Sequence, residues 1–229
     1  MTCDNVRTGG DTVTVTATAT ATATAAPLRS HVIYPDSDGE PMADNTIQFR
    51  WIAILMWNLD HQYRNDPNVF VAGDHLIYPI EGNNQVRAAP DTYVAFGPKK
   101  KDRGSYQVWE EGGVFPQVVF EVWSPGNRLG QMETRRKFYE KYGAEEFYIV
   151  YPEEPGVECW LRRGDSFEAV ENVNGFTSPR LGIRFTWDNL NLHIHGADGR
   201  EFRNPNEIAD ERDRLAAKLR ELGIDPETI

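Results

Sequence analysis

The stretch Val118-Val119-Phe120-Glu121-Val122-Trp123, closed by Ser124-Pro125-Gly126-Asn127, decides how this chain folds. Its apolar residues are consecutive rather than alternating, which suits a strand buried on both faces. The Ser-Pro-Gly-Asn cluster then stops it. Downstream, residues 131–142 read as a helix with Met132, Phe138 and Tyr142 among its apolar members, and Gly143 is placed to end it. Phe147-Tyr148-Ile149-Val150 follows as a second apolar strand.

Upstream, residues 92–96 form another β-rich run. Residues 68–72 and 75–80 are two more, and Gly73-Asp74 between them reads as the turn of a hairpin. Glu81-Gly82-Asn83-Asn84 is a turn, and residues 97–116 are a long Gly- and charge-rich loop. A helix begins after Asp44. Asn45 and Gln48 have the spacing of a capping box, and Ile47, Trp51, Ile54, Leu55 and Leu59 recur on one face as far as about His61. Beyond residue 150, residues 158–162, 167–170, 183–187 and 190–195 predict a β-meander. Residues 206–222 predict a charged amphipathic helix with Ile208, Leu215, Leu219 and Leu222 as its apolar members. A βα unit set among hairpins predicts an α/β or α+β domain with a mixed sheet. The chain divides into a low-complexity tail at 1–27, a main domain at 28–200 and a terminal helix at 201–229.

The 229 residues suit one domain with appendages. Hydrophobic residues make up 40% and charged residues 26%, which is a globular composition. Only Cys3 and Cys159 are present, so a Cys-rich zinc site is excluded and a reducing, cytoplasmic setting is expected. No run approaches the ~20 apolar residues of a membrane span, and no basic-then-apolar leader opens the chain. The run Thr-Val-Thr-Val-Thr-Ala that starts at Thr12, and its continuation to Ala26, has few large side chains to bury. It reads as a disordered tail. The formal charge of −11, from 24 basic and 35 acidic residues, argues against a protein that coats DNA nonspecifically.

Glu121 is out of place in such a strand. Burying an ionised carboxylate costs several kcal/mol unless it is paired or bound to a cation. It is therefore either the partner of an Arg, or a metal ligand or general base. Asp91 follows Pro90 at the start of the 92–96 run. Alone it is an ordinary turn residue. Adjacent strands, however, can bring both acids to one sheet edge, where oxygen ligands suit Mg²⁺ or Mn²⁺.

Pro90-Asp91, followed some thirty residues later by Glu121-Val122-Trp123-Ser124-Pro125, resembles the PD-(D/E)XK nuclease superfamily. More narrowly it is similar to the Uma-type family of restriction endonucleases, with Tyr139 and Gly143-Ala144-Glu145-Glu146-Phe147-Tyr148-Ile149-Val150 at matching places. The resemblance covers roughly residues 30–195. It implies a restriction-endonuclease-like core of helix, three strands, helix and strand. It also implies a divalent metal, Mg²⁺ or Mn²⁺, held by Asp91, Glu121 and the Val122 carbonyl, and a DNA substrate. One position departs from the pattern. The superfamily's Lys, two residues after Glu121, is Trp123 here. The family is expected to use a Lys from the following helix, and that place, four before Tyr139, holds Arg135. Arg is a poor base but can stabilise developing charge on phosphate. Lys137 stands about 200° away around the helix and cannot simply substitute, but it is the second candidate after Arg135 for offsetting that charge.

Residues 97–142 hold nine basic and six acidic side chains, a local excess of +3 in an acidic chain. Lys99, Lys100, Lys101, Arg103 and Arg128 are the candidates for phosphate contacts. His193 and His195 alternate with Leu190, Leu192 and Ile194, so both fall on the polar face of a strand and read as solvent-facing. His31, His61 and His75 show no evident partner, and Glu40 and Glu81 are spare acids near turns. The expectation is a metal-dependent endonuclease that hydrolyses DNA phosphodiesters. Its rivals are an inactive nuclease-like domain that binds DNA or a protein, and a structural homodimer paired through the terminal helix.

Overall fold

Asn45 starts the first helix as expected. In a computed structural model of the chain, its side-chain oxygen accepts from the backbone N–H groups of Ile47 and Gln48, both at 2.9 Å. The helix α1 then runs Thr46–Gln62. The capping box does not close on Asn45. The Gln48 side chain reaches the N–H of Asp44 instead, at 2.8 Å. The structure describes residues 32–228 apart from Asp38 and Glu40. The proposed tail, Cys3, His31 and Glu40 lie outside the described residues.

The strands that follow are β1 (Val69–Ala72), β2 (Ile77–Tyr78), β3 (Thr92–Phe96), β4 (Tyr106–Gln107) and β5 (Val118–Val122). Helix α2 (Leu129–Tyr142) and strand β6 (Glu146–Tyr151) come next, then β7 (Gly156–Arg163), β8 (Ser166–Ala169), β9 (Arg184–Trp187), β10 (Leu192–His195) and helix α3 (Pro205–Glu221). Six strands form one mixed sheet in the order β1-β3-β5-β6-β7-β8. Only β5 and β6 are parallel, with α2 as their crossover. The other neighbours are antiparallel.

Period-two alternation sorts the strands' side chains between two layers. Val118, Phe120 and Val122 pack with Ile52, Leu55 and Leu59 of α1, and the β9–β10 hairpin adds Phe185, Leu192 and Ile194 to that layer. Val119, Tyr93, Phe147 and Ile149 pack with Met132 and Tyr139 of α2. Gly143 ends α2 at φ 108°, a left-handed conformation that a Cβ would oppose.

Two sequence expectations fail here. Residues 68–72 and 75–80 do not form a hairpin. β1 pairs with β3, and β2 pairs in parallel with β4 inside the long loop. The chain leaves β1 through Gly73 and the left-handed Asp74 (φ 47°), and the Asp74 N–H bonds the Pro90 carbonyl at 3.1 Å. That contact turns it away from β1 toward the start of β3. The four-strand meander also divides. β7 and β8 extend the main sheet, while β9 and β10 form a separate two-stranded sheet. Leu190, placed on that last strand's apolar face, lies before β10 and is 81% exposed.

Candidate active site

Thr92 is paired with Phe120 in the β3–β5 ladder, so the next step of the antiparallel register sets Asp91 opposite Glu121. Both side chains fall on the α2 side, because Asp91 stands two residues from Tyr93 and Glu121 two from Val119, and i, i+2 residues share a strand face. Glu121 is fully buried and Asp91 is 8% exposed. Local sequence accounts for the burial: Glu121 lies within an apolar strand at the centre of the sheet.

Each carboxylate is held. Asp91 Oδ2 accepts from the Val122 backbone N–H at 2.6 Å. Glu121 Oε1 accepts from the Tyr139 hydroxyl at 2.6 Å, and Oε2 accepts from Arg135 Nη1. Arg135 and Tyr139 are four residues apart on α2, one turn of the same helix face. Burial pushes Asp91 up to about 8, the charge of Glu121 adds to the rise, and the Val122 N–H opposes it. Burial likewise raises Glu121, against the pull of Arg135 and Tyr139. Arg135 is pushed further into its charged form by Glu121. Burial keeps Tyr139 protonated, hence a donor. Protonation of Asp91 removes one of the two like charges that face each other across this register.

Gln48 belongs to this cluster and the sequence reading missed it. It is buried on α1, and its Nε2 donates to the Val122 carbonyl at 3.2 Å. It also lowers the Asp91 pKa through a side-chain hydrogen bond. A signal existed: Gln48 precedes Ile52, Leu55 and Leu59 on the buried stripe of α1 and is the polar member of it. Nearby, the Ser124 hydroxyl donates to Asp44, and the Ser124 N–H bonds Asn127 Oδ1 at 2.8 Å. These contacts tie the start of α1 to the turn that ends β5. Replacing Gln48 with Leu is expected to destabilise the fold by about 1–3 kcal/mol, because it leaves the buried Val122 carbonyl unsatisfied. Urea unfolding of the two proteins measures it.

Other predicted positions lie elsewhere. Lys137 is exposed and pairs with Glu133 at 3.2 Å on the outer face of α2, so it does not reach Glu121. Arg103 is withdrawn from the surface. Its side chain is 6% exposed, bonded to both oxygens of Glu111 at 3.0 and 3.1 Å, and set 3.9 Å over the Phe70 ring. Apolar neighbours and a buried counter-ion hold it inside. Lys100 pairs with Asp60 at 2.6 Å, and Lys101 lies 3.6 Å from Glu111. Lys99 and Arg128 are exposed, the latter at the N-cap of α2. Trp123, at the superfamily's Lys position, is half-buried against Tyr151. His75 is not partnerless. Its Nδ1 meets the Tyr93 hydroxyl at 2.6 Å and its Nε2 the Arg103 carbonyl at 3.1 Å. His193 bonds Glu201, and Glu81 is an exposed turn residue.

Among the described residues, no group of three or more His, Cys, Asp or Glu side chains converges. Asp91 and Glu121 face each other across the β3–β5 register, and Gln48 links the Asp91 side chain to the Val122 carbonyl, so all the candidate ligands are oxygen donors. Mg²⁺ is commonly held by one or two carboxylates, with water and substrate phosphate filling the remaining places. The guanidinium already seated on Glu121 shows that the pocket accepts positive charge. The residues therefore fit a hard divalent cation.

The mixed sheet, flanked by one helix on each face and carrying two acids at a central strand pair, is an α/β architecture. The sequence places the chain more narrowly. Residues 32–190 match the Uma2 family model, described as “Putative restriction endonuclease”, and the chain belongs to that family. A search of curated proteins gives no significant match. Among solved structures, a protein of Anabaena variabilis ATCC 29413, described as “a putative nuclease belonging to DUF820”, is 11% identical. The alignment covers 61% of this chain and 74% of that one, with a TM-score of 0.44.

Proposed function

We propose that the protein is a divalent-metal-dependent endonuclease that hydrolyses DNA phosphodiester bonds. The observation that carries this reading is the convergence of Asp91 and Glu121 across the β3–β5 register, beside Arg135. Family membership supports it. Asp91, Glu121 and the Val122 carbonyl would hold Mg²⁺ or Mn²⁺, with Gln48 orienting that carbonyl. The bound ion would supply an activated water and offset charge on the phosphate. Arg135 contributes a fixed positive charge at the same place, in the role of an electrostatic stabiliser rather than a base. Tyr139 fixes the rotamer of Glu121. Lys99 and Arg128 are the exposed cations left to meet the DNA backbone, with Lys100 and Lys101 available if their surface ion pairs open. The buried free thiol of Cys159 suits a reducing compartment, so we place the protein in the cytoplasm. No described helix is long and apolar enough to cross a membrane.

The test is nicking of supercoiled plasmid and branched DNA with Mg²⁺ or Mn²⁺. Glu121→Ala and Asp91→Asn should each lower the rate by ~100-fold or more. Nicking unchanged by both substitutions would refute the assignment. A second reading has its own observation. Trp123 stands where the superfamily has Lys, and Arg135 already neutralises Glu121. An inactive domain that binds DNA through the same face would bind Mn²⁺ weakly in calorimetry and cleave nothing.

A further inference from the structure

Helix α3 is oriented against its own amphipathicity. It spans Pro205–Glu221 and has no buried residue. Asp210, Asp213, Arg214 and Ala217 face the body, lining with Trp51 and His193 a cleft of about 1160 Å³. At ~100° per residue, Ile208, Leu215 and Leu222 lie within a ~40° arc on the opposite side. They are 50%, 60% and 68% exposed, and Leu219, beside that arc, is half-buried. A helix that stabilised only its own chain would turn this stripe inward.

The helix is nonetheless strongly specified. The Asn204 side chain accepts from the N–H groups of Asn206 and Glu207, the Glu207 side chain accepts from the Asn204 N–H, and Pro205 opens the first turn. Seventeen residues with so little burial are marginal on propensity alone. The helix also lies beyond the family match, which ends at residue 190.

The pattern names its partner. Ile208, Leu215 and Leu222 recur at seven-residue intervals, and Arg212 and Leu219 stand four after the first two. This is a two-heptad seam. Ala209 and Ala216 flank it on one side, and Glu211 and Lys218 on the other. A parallel pair would press Arg212 against its own copy. An antiparallel pair sets Arg212 opposite Leu215 and brings Glu211 of each chain beside Lys218 of the other, exchanging their exposed in-chain pairs with Arg203 and Glu221 for two across the seam. We infer that the exposed α3 stripe docks a second copy of this chain, as an antiparallel two-helix interface.

Sedimentation velocity of the full chain at low salt is expected to give twice the 26.0 kDa chain mass. Leu215→Glu, remote from Glu121, is expected to give the single-chain mass while the sheet domain still unfolds cooperatively. Glu211→Lys and Lys218→Glu should each weaken pairing by about tenfold, and the two together should restore it. A single-chain mass for the wild type at ~100 μM, or a Leu215→Glu protein that still pairs, overturns the inference. Pairing that ignores both charge substitutions overturns the antiparallel arrangement.

Discussion

Arg135→Met is expected to lower stability by about 3 kcal/mol at pH 8, a fall in Tm of roughly 6–12 °C. The reasoning starts from Glu121, which has no exposed surface and takes hydrogen bonds from Arg135 and Tyr139 alone among the described side chains. Removing one partner of a buried ion pair strands the other charge, which typically costs about 3–5 kcal/mol. The Arg135 side chain is 40% exposed, so water softens the loss and the lower figure applies. The effect should shrink at pH 5, where a stranded Glu121 escapes by taking up a proton. Glu121→Gln should be milder than Arg135→Met, because an amide still accepts from Tyr139 and leaves the half-exposed guanidinium to water. Urea unfolding of the three proteins at both pH values tests the ordering. Equal stabilities for wild type and Arg135→Met at pH 8 would show that the pair is not what holds the carboxylate inside.

Metal-free protein is expected to lose up to about 4 kcal/mol of stability between roughly pH 5 and pH 8. Asp91 is the cause. Its folded-state pKa, about 8, lies above the ordinary 3.8, so the folded chain holds a proton that the unfolded chain has released. That contribution is complete below about pH 4 and disappears as pH climbs through about 8. Glu133 and Asp188 have lowered values, so their contribution has the opposite sense and is lost only in acid, outside this window; half-buried His75, lowered too, opposes the fall inside it, and buried Glu121, raised, adds to it. Asp91→Asn should flatten the slope. If the metal reading holds, millimolar Mg²⁺ or Mn²⁺ should reverse it, because the ion binds only the deprotonated carboxyl and its affinity grows with pH. Chemical denaturation with chelator and with metal, across pH 5–9, separates the two cases. A slope that metal leaves unaltered would favour the silent, DNA-binding domain.

Much of this site could be read from the residues in order. An acid in an unbroken apolar strand is costly, so Glu121 announced a partner or a cation, and the structure supplies the partner in Arg135. Asp91 was legible only through the pairing of β3 with β5, since Pro-Asp before a strand is common in turns. Gly143 fixed the end of α2 because a left-handed residue favours glycine. What escaped depends on contacts distant in sequence. The β1–β2 hairpin was a fair local inference, but the close approach of residues 73–74 to residues 90–91 sends the chain elsewhere. A Cβ at Gly73 would lie only 2.6 Å from the Asp91 carbonyl oxygen. Arg103 looked like surface charge because nothing nearby in sequence reveals Glu111 and Phe70 folding around it. Gln48 was passed over because a capping residue explained it locally, whereas its side chain serves a carbonyl seventy-four residues away.

Arg135 and Tyr139 ride one rigid rod, a single turn apart. Any change in how α2 seats on the sheet therefore moves both partners of Glu121 together rather than one at a time.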